Sequence, residues 1–325
     1  MKSHFKEKTE HAVRVLSNVI EQTPLTSSSS LSEAIDGTVY LKQENLQLTN
    51  CCKARSAYFM LSNLADDQKH HVVTVSTGNN GISMSWAMKK LGIPGTVFLP
   101  NTVVPHKVAA IRQNAVEIIH VGEDIVDAET IARAYAAEHG FTFRSPYNEW
   151  EAMYAQATIA HEILEQLTNL DEDLDSIVVP VGGGGLIGGI AGYLRSIKPN
   201  IEIIGAQPTN SAVMALSVKA GKILEMPSLP TLSDATAGGV EQGAVTFEFC
   251  RDYVDDYILV SEEEIGNAMT MLDVQHGIAV EGSGALSVAA LLQKSRQFKG
   301  KKVALLLCGA NVDPSLLNRL HTAKT

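Results

Sequence analysis

The feature that most constrains this chain is the run Val181-Gly-Gly-Gly-Gly-Leu-Ile-Gly-Gly189, which follows an apolar, β-branched stretch at Ser176–Val181. Six glycines in eight residues cost too much conformational entropy to be explained by packing alone. A strand that turns through glycines into a helix lets backbone amides converge on an anion at the helix N-terminus. The run therefore reads as a phosphate-binding loop inside a strand–turn–helix unit. It also contains a literal G-x-G-x-x-G (Gly183, Gly185, Gly188), the mark of a dinucleotide fold. That fold predicts a carboxylate at the end of the following strand, where Gln207 stands, so a ligand with one phosphate is preferred.

The pattern around this unit repeats it. Short apolar runs predict strands at 38–41, 72–76, 95–99, 116–121, 141–143, 176–181, 201–206, 257–260 and 303–308. Helical patterns lie between them, at 82–91, 106–114, 128–139, 150–167, 187–197, 211–220, 261–275, 284–292 and 314–324. Ser261-Glu-Glu-Glu264 is a capping box, and Asp313-Pro314 puts proline at a first helical position. Ser27–Ser30 reads as a loop before Leu31. Strand–helix alternation means an α/β fold with parallel sheets, and 325 residues suit about two domains of ~150 residues each.

Composition narrows the function. Lys plus Arg is 26 against 36 Asp plus Glu, a net charge of −10, which argues against a nucleic-acid partner or an anionic membrane surface. Four cysteines (Cys51, Cys52, Cys250, Cys308) form neither a disulfide framework nor a zinc motif, so reduced cytoplasmic thiols are expected. Residues 1–20 read as an amphipathic helix rather than a signal segment. Ser176–Leu194 is 19 residues without a charge, but its seven glycines and Pro180 fit the strand, turn and helix better than a membrane span.

Two further stretches carry chemistry. Ser76-Thr-Gly-Asn-Asn-Gly81 again joins a strand to a helix, and hydroxyls and amides at that point suit a carboxylate or a phosphate. Lys53 opens an apolar helical stretch, Ala54–Leu64. An ammonium there meets the positive end of the helix dipole, and the same field favours the neutral amine that nucleophilic chemistry needs.

In order and spacing, Lys53 within 49–57, the Ser76–Gly81 loop, the glycine run and Cys308-Gly-Ala-Asn311 resemble the fold-type-II pyridoxal-phosphate enzymes, and among them the threonine/serine dehydratases. Serine racemase and the hydroxyectoine-utilisation dehydratases stand beside these. The resemblance covers nearly the whole chain, including 146–164, 230–239 and 280–292. It implies two open, twisted, mostly parallel sheets with flanking helices, a large domain of residues 1–70 and 150–325, and a small domain of 71–149. It implies pyridoxal 5'-phosphate as cofactor, with Lys53 as the lysine that binds it covalently and acts in catalysis, and Asn79 beside its 3-hydroxyl. The amides of Gly182, Gly183, Gly184, Gly185 and Leu186 would hold its phosphate, and Cys308 would meet the pyridine nitrogen. Ser76, Thr77 and Asn80 would bind the substrate carboxylate, and Glu281 matches a family glutamate near the ring. The activity implied is β-elimination from a small hydroxy-amino acid such as threonine or serine, giving a 2-oxo acid and ammonia. A homo-oligomer, dimer or tetramer, is expected. No metal site is expected, because Gln207 stands where some relatives use a carboxylate. A C-terminal regulatory domain, with feedback inhibition through it, is not expected either.

The chain departs from the family pattern at several positions. Asn50, Cys51, Cys52 and Ser56 replace Gly, Ser, Phe and Gly around the lysine, Asn80 replaces a common His, and Ala155 and Ala157 replace glycines on either side of Gln156. The alternatives left open are a hydroxyectoine-utilisation-type dehydratase, a serine racemase, a relative that binds the cofactor without turnover, and a nicotinamide-dependent oxidoreductase. His161-Glu-Ile-Leu-Glu165 lacks the second histidine of a zinc motif, and Met84, Trp86 and Met88 read as core.

Overall fold

Two sheets organise the chain in a computed structural model that describes residues 2–76, 78–101, 103, 105–123 and 125–322. The elements begin α1 (Lys2–Leu16), β1 (Leu25–Ser27), α2 (Ser29–Ile35), β2 (Thr38–Lys42) and α3 (Lys53–Ser62). Then come β3 (Val72–Val75), α4 (Asn79–Leu91), β4 (Gly95–Leu99), α5 (Pro105–Arg112), β5 (Glu117–His120), α6 (Ile125–His139) and β6 (Thr142–Arg144). The chain continues through α7 (Trp150–Asn169), β7 (Ser176–Pro180), α8 (Gly185–Ile197), β8 (Glu202–Pro208), α9 (Val213–Ala220) and α10 (Val245–Tyr253). It ends with β9 (Asp256–Val260), α11 (Glu262–His276), α12 (Gly282–Gln293), β10 (Lys302–Leu306) and α13 (Pro314–Thr322). No helix among the described residues is long and apolar enough to cross a membrane.

One sheet has the order β1-β2-β10-β7-β8-β9 and the other β5-β4-β3-β6. Every pairing is parallel except that of the short edge strand β1 with β2. This is the expected α/β class with two mainly parallel sheets and flanking helices.

Burial on both faces explains the continuous apolar strands. In β7, Ile177 and Val179 face a core shared with Ile187, Ile190 and Leu194 of α8, while Val178 faces a second core shared with Leu286 and Ala289 of α12. Helices thus leave β7 and enter β10 on opposite faces, and the two neighbouring strands form a switch point whose carboxyl ends flank a crevice. The second sheet repeats the device. Val72 packs with Met84 and Met88 of α4, and Val73 and Val75 pack with Ala128, Ala132 and Ala136 of α6. Each fully buried aliphatic side chain contributes roughly 1.5–3 kcal/mol, so these faces fix the register of both switch points.

Two local expectations need correction. Ser27–Ser30 is not a loop: Ser27 ends β1, Ser28 caps α2 by accepting the amide of Leu31, and Ser29 and Ser30 open the helix. A serine run before Leu31 is a helix start because hydroxyls satisfy orphan amides. α10, rich in β-branched and aromatic residues, was not anticipated. Its propensity is weak, and Phe247, Phe249 and Cys250 hold it by burial against α8 and α9.

Candidate active site

Lys53 is the first residue of α3, as its position in the sequence predicts. The turn before it needs unusual backbone. Asn50 has φ 53°, a left-handed value that Asn tolerates better than most residues, which accounts for Asn where the family pattern has Gly. The Asn50 carbonyl accepts the amide of Ala310, Cys51 bridges Gly309, and the Cys52 amide donates to the Cys308 carbonyl at 3.0 Å. Gln156 of α7 donates to the Cys52 carbonyl and to Ser56 Oγ, both at 3.1 Å. The start of α3 is therefore sewn to the end of β10 and to α7.

Arg55, two residues past Lys53, anchors the same helix from below. It makes a fork with Glu44 (2.8 and 2.7 Å) and another with Glu162 (2.6 and 2.9 Å). Lys42 also binds Glu162 at 2.7 Å, so two buried cations meet two carboxylates. Burial pushes the Glu44 carboxyl up, but Arg55 and the hydrogen bonds to it outweigh burial and hold it below its ordinary value.

The glycine run divides into two parts with different jobs. Gly182 to Gly185 form the turn after β7, with Gly184 at φ 89°, and the Gly183 carbonyl is pinned by Thr246 Oγ1 at 2.7 Å. The amides that open α8 have no acceptor inside the helix. Gly182 to Leu186 all line a cavity of about 920 Å³. Gly189 and Gly192 lie elsewhere: a Cβ at the first would meet the Met153 carbonyl at 2.2 Å, and at the second the Phe5 ring at 2.7 Å. These two, with Gly188 against Met153, let α7 and α1 close on α8. The run thus serves both the cavity and helix packing, in keeping with the expectation that packing alone does not explain it.

Lys53, Ser76, Asn79, Asn80, Gly182 to Leu186 and Cys308 all line this one cavity, at the carboxyl ends of β3, β7 and β10. Thr77 lies outside the described residues. Ser76 Oγ accepts the amides of Gly78 (2.9 Å) and Gly81 (2.8 Å), so it shapes the loop that opens α4. Asn79 donates to Glu281 Oε1 at 2.5 Å and accepts from Asn311 at 2.7 Å. Ser283 donates to the same Glu281 oxygen at 2.6 Å, while Glu281 Oε2 is buried without a partner. Burial pushes the Glu281 carboxyl above its ordinary value, with a partial offset from Lys107. Burial also pushes the Cys308 thiol up to about 12, so it faces the cavity as a neutral group. The buried Cys51 and Cys52 thiols are raised as well.

The sequence reading missed part of the lining. Tyr147 packs its ring on the glycine turn, where a Cβ on Gly183 would fall 2.5 Å from it, and its hydroxyl accepts the amide of Glu241. Arg133 pairs with Glu129 (2.6 Å) and Glu241 (3.4 Å), and Lys107 pairs with Asp234 (2.5 Å). Each joins residues about a hundred or more apart in the chain or lies on an ordinary amphipathic helix, and no local signal marks them. Asp173 and Asp175, both exposed, also have partners: the first pairs with Lys198, and the second accepts the amide of Lys302.

The family model described as pyridoxal-phosphate dependent enzyme matches residues 16–309. The L-threonine ammonia-lyase of Thermotoga maritima is 37% identical over 97% of this chain and 77% of that protein. The catabolic L-threonine dehydratase TdcB of Escherichia coli K12 is 37% identical over 94% of this chain and 92% of its own. The structure of maize serine racemase superposes with a TM-score of 0.90 at 30% identity, covering 98% of this chain and 97% of that one. The chain therefore belongs to the pyridoxal-phosphate-dependent enzyme family.

Proposed function

We propose that this enzyme catalyses β-elimination from a small hydroxy-amino acid, L-threonine or L-serine, releasing a 2-oxo acid and ammonia. The observation that carries the reading is the convergence in one cavity of an amine at a helix start (Lys53), a glycine turn of open amides (Gly182 to Leu186) and a neutral thiol (Cys308). Relatives named for threonine ammonia-lyase and dehydratase activity support it.

The residues fit pyridoxal phosphate. The amides that open α8 would hold the phosphate. The buried, unpartnered Glu281 Oε2 and the Asn79 amide mark a polar wall with donor and acceptor capacity to spare. Cys308 would meet the ring nitrogen and Lys53 would hold the aldehyde carbon. When bound, the cofactor supplies an electron sink for the bond broken at Cα. Once displaced from the aldehyde carbon by the substrate's amine, Lys53 Nζ would take the Cα proton, its helix start held by Arg55 and Gln156. Ser76 keeps its own hydroxyl proton to donate while its lone pairs hold two amides, and with Asn80 it would receive the substrate carboxylate.

Two domains, 1–70 with 150–325 and 71–149, would carry the two sheets, with the cavity between them. Exposed Leu46 and Leu48, near the turn that leads to Lys53, support a homo-oligomer. The net charge of −10 and the four free cysteines support a cytoplasmic setting. The test is a panel of L- and D-hydroxy-amino acids given to the holoenzyme, with ammonia measured. Release from L-threonine or L-serine is expected, and no release from any member of the panel would overturn the proposal.

A further inference from the structure

Three cations line the cavity among the described residues: Lys53, Lys107 and Arg133. Lys53 is taken up by the proposed cofactor chemistry. Arg133 is bound by Glu129 and Glu241 and lies over the Phe143 ring at 4.2 Å. Lys107 has one carboxylate partner, Asp234, against two for Arg133. Its side chain is 2% exposed, yet its ammonium ends at Asp234, a carboxylate that is 50% exposed. α5, which carries Lys107, packs on α4 beside the four-stranded sheet, whereas Asp234 lies before α10 and packs against α12. The ion pair thus ties the two layers together where Lys107 lines the cavity.

The lysine stem runs directly behind the turn that opens α4. A Cβ on Gly78 would fall 2.9 Å from both Cδ and Nζ of Lys107. The described residues of that turn, Ser76, Gly78, Asn79 and Asn80, are all neutral, and Ser76 already spends its lone pairs on the Gly78 and Gly81 amides. An amino-acid substrate brings an α-carboxylate, and burying an anion against neutral groups alone is costly. The nearest buried cation is Lys107.

We propose that Lys107 is the positioning residue for the substrate's α-carboxylate: it braces the Gly78 turn from behind and supplies the positive charge that the turn lacks, with Asp234 fixing the ammonium in place. This rests on the hydroxy-amino-acid reading above. It predicts selectivity for the free acid over the corresponding amide, because only the acid carries the charge that Lys107 balances.

The test is Lys107→Met, with Lys107→Gln beside it in case the first variant folds poorly, each as holoenzyme with its cofactor absorbance compared with the parent. KM for L-serine or L-threonine is expected to rise at least about tenfold while kcat stays within about threefold. The ratio of KM for the amino-acid amide to KM for the acid should fall at least about fivefold. A kcat loss with both KM values unchanged, or an unaltered acid-to-amide ratio, would overturn the proposal and leave Lys107 a structural brace. Binding of an unreactive amino-acid carboxylate, read from the cofactor's absorbance, separates this from a failure of the elimination chemistry. If the parent binds the carboxylate but releases no ammonia, the reaction is misassigned, and the loss or retention of carboxylate binding in the variants still decides the role of Lys107.

Discussion

The backbone amide of Cys52 donates to the carbonyl of Cys308 at 3.0 Å. One bond thereby ties the residue before Lys53 to the residue whose thiol faces the same cavity. The Asn50–Ala310 bond and the Cys51–Gly309 bridge extend the seam on the same side. Amine and thiol are held in fixed relation by backbone rather than by side-chain contact, so that relation does not depend on the buried side chains at 51 and 52. That is a physical reason why cysteines can stand there in place of the family's Ser and Phe.

The thiols should be unreactive in the folded protein. Burial pushes both Cys308 and Cys250 up to about 12. At pH 8 the thiolate population is then roughly a thousandfold below that of an ordinary cysteine. Iodoacetamide followed by mass spectrometry should label the denatured chain fully and the native chain at these positions hardly at all. Fast native labelling of Cys308 would mean an anionic thiol in the site.

Breaking the buried network under Lys53 should be costly. Arg55→Met leaves Glu44 and part of Glu162 uncompensated and is expected to destabilise the fold by about 3–5 kcal/mol, measured by urea unfolding. The pH dependence has a definite sign. Glu44 is held below its ordinary value of 4.5, so the unfolded chain binds more protons and this stability is complete above pH 4.5 and lost as pH falls below it. Glu281 has the opposite shift, so it opposes rather than produces that acid limb. Glu44→Gln should flatten the limb below pH 4.5. A limb parallel to the parent's would remove Glu44 from the explanation.

At the glycine turn, Gly183→Ala puts a methyl group where the Tyr147 ring lies, 2.5 Å away. The ring or the turn must move, and cofactor affinity should fall at least about tenfold. Tyr147→Ala in the same chain opens the space and should restore part of that loss. Equal cofactor binding by Gly183→Ala and the parent, followed by absorbance titration, would show that the turn tolerates a side chain.

For Lys53, borohydride reduction of the holoenzyme should fix the cofactor on the peptide that contains it, and Lys53→Ala should lose turnover by at least about a hundredfold. Fixation on another lysine would displace Lys53 from its role.

Much of this was legible locally. The strand–glycine–helix unit, the lysine at a helix start and the carboxyl-end loop each have a sequence signature, because each depends on neighbouring residues. The packing partners of Gly189, and of Gly192 beyond the run, are not legible in the same way, because Met153 and Phe5 are contacts that no local pattern announces. Lys107 and Asp234 stand 127 residues apart, and on its helix Lys107 looks like any surface charge until the fold buries it. Tyr147 carries no local signature, since its importance comes from the turn it covers.

The most direct measurement is to give the holoenzyme L-threonine or L-serine and follow ammonia, 2-oxo acid and the D-enantiomer together, the last by chiral chromatography. Cys308 would present a neutral thiol rather than a fixed negative charge to the ring nitrogen, an arrangement that would favour loss of the Cβ hydroxyl over return of a proton to Cα. Ammonia and 2-oxo acid are expected to appear at least about tenfold faster than the D-enantiomer. Accumulation of D-serine faster than pyruvate would contradict β-elimination as the principal reaction and assign the enzyme to racemisation instead.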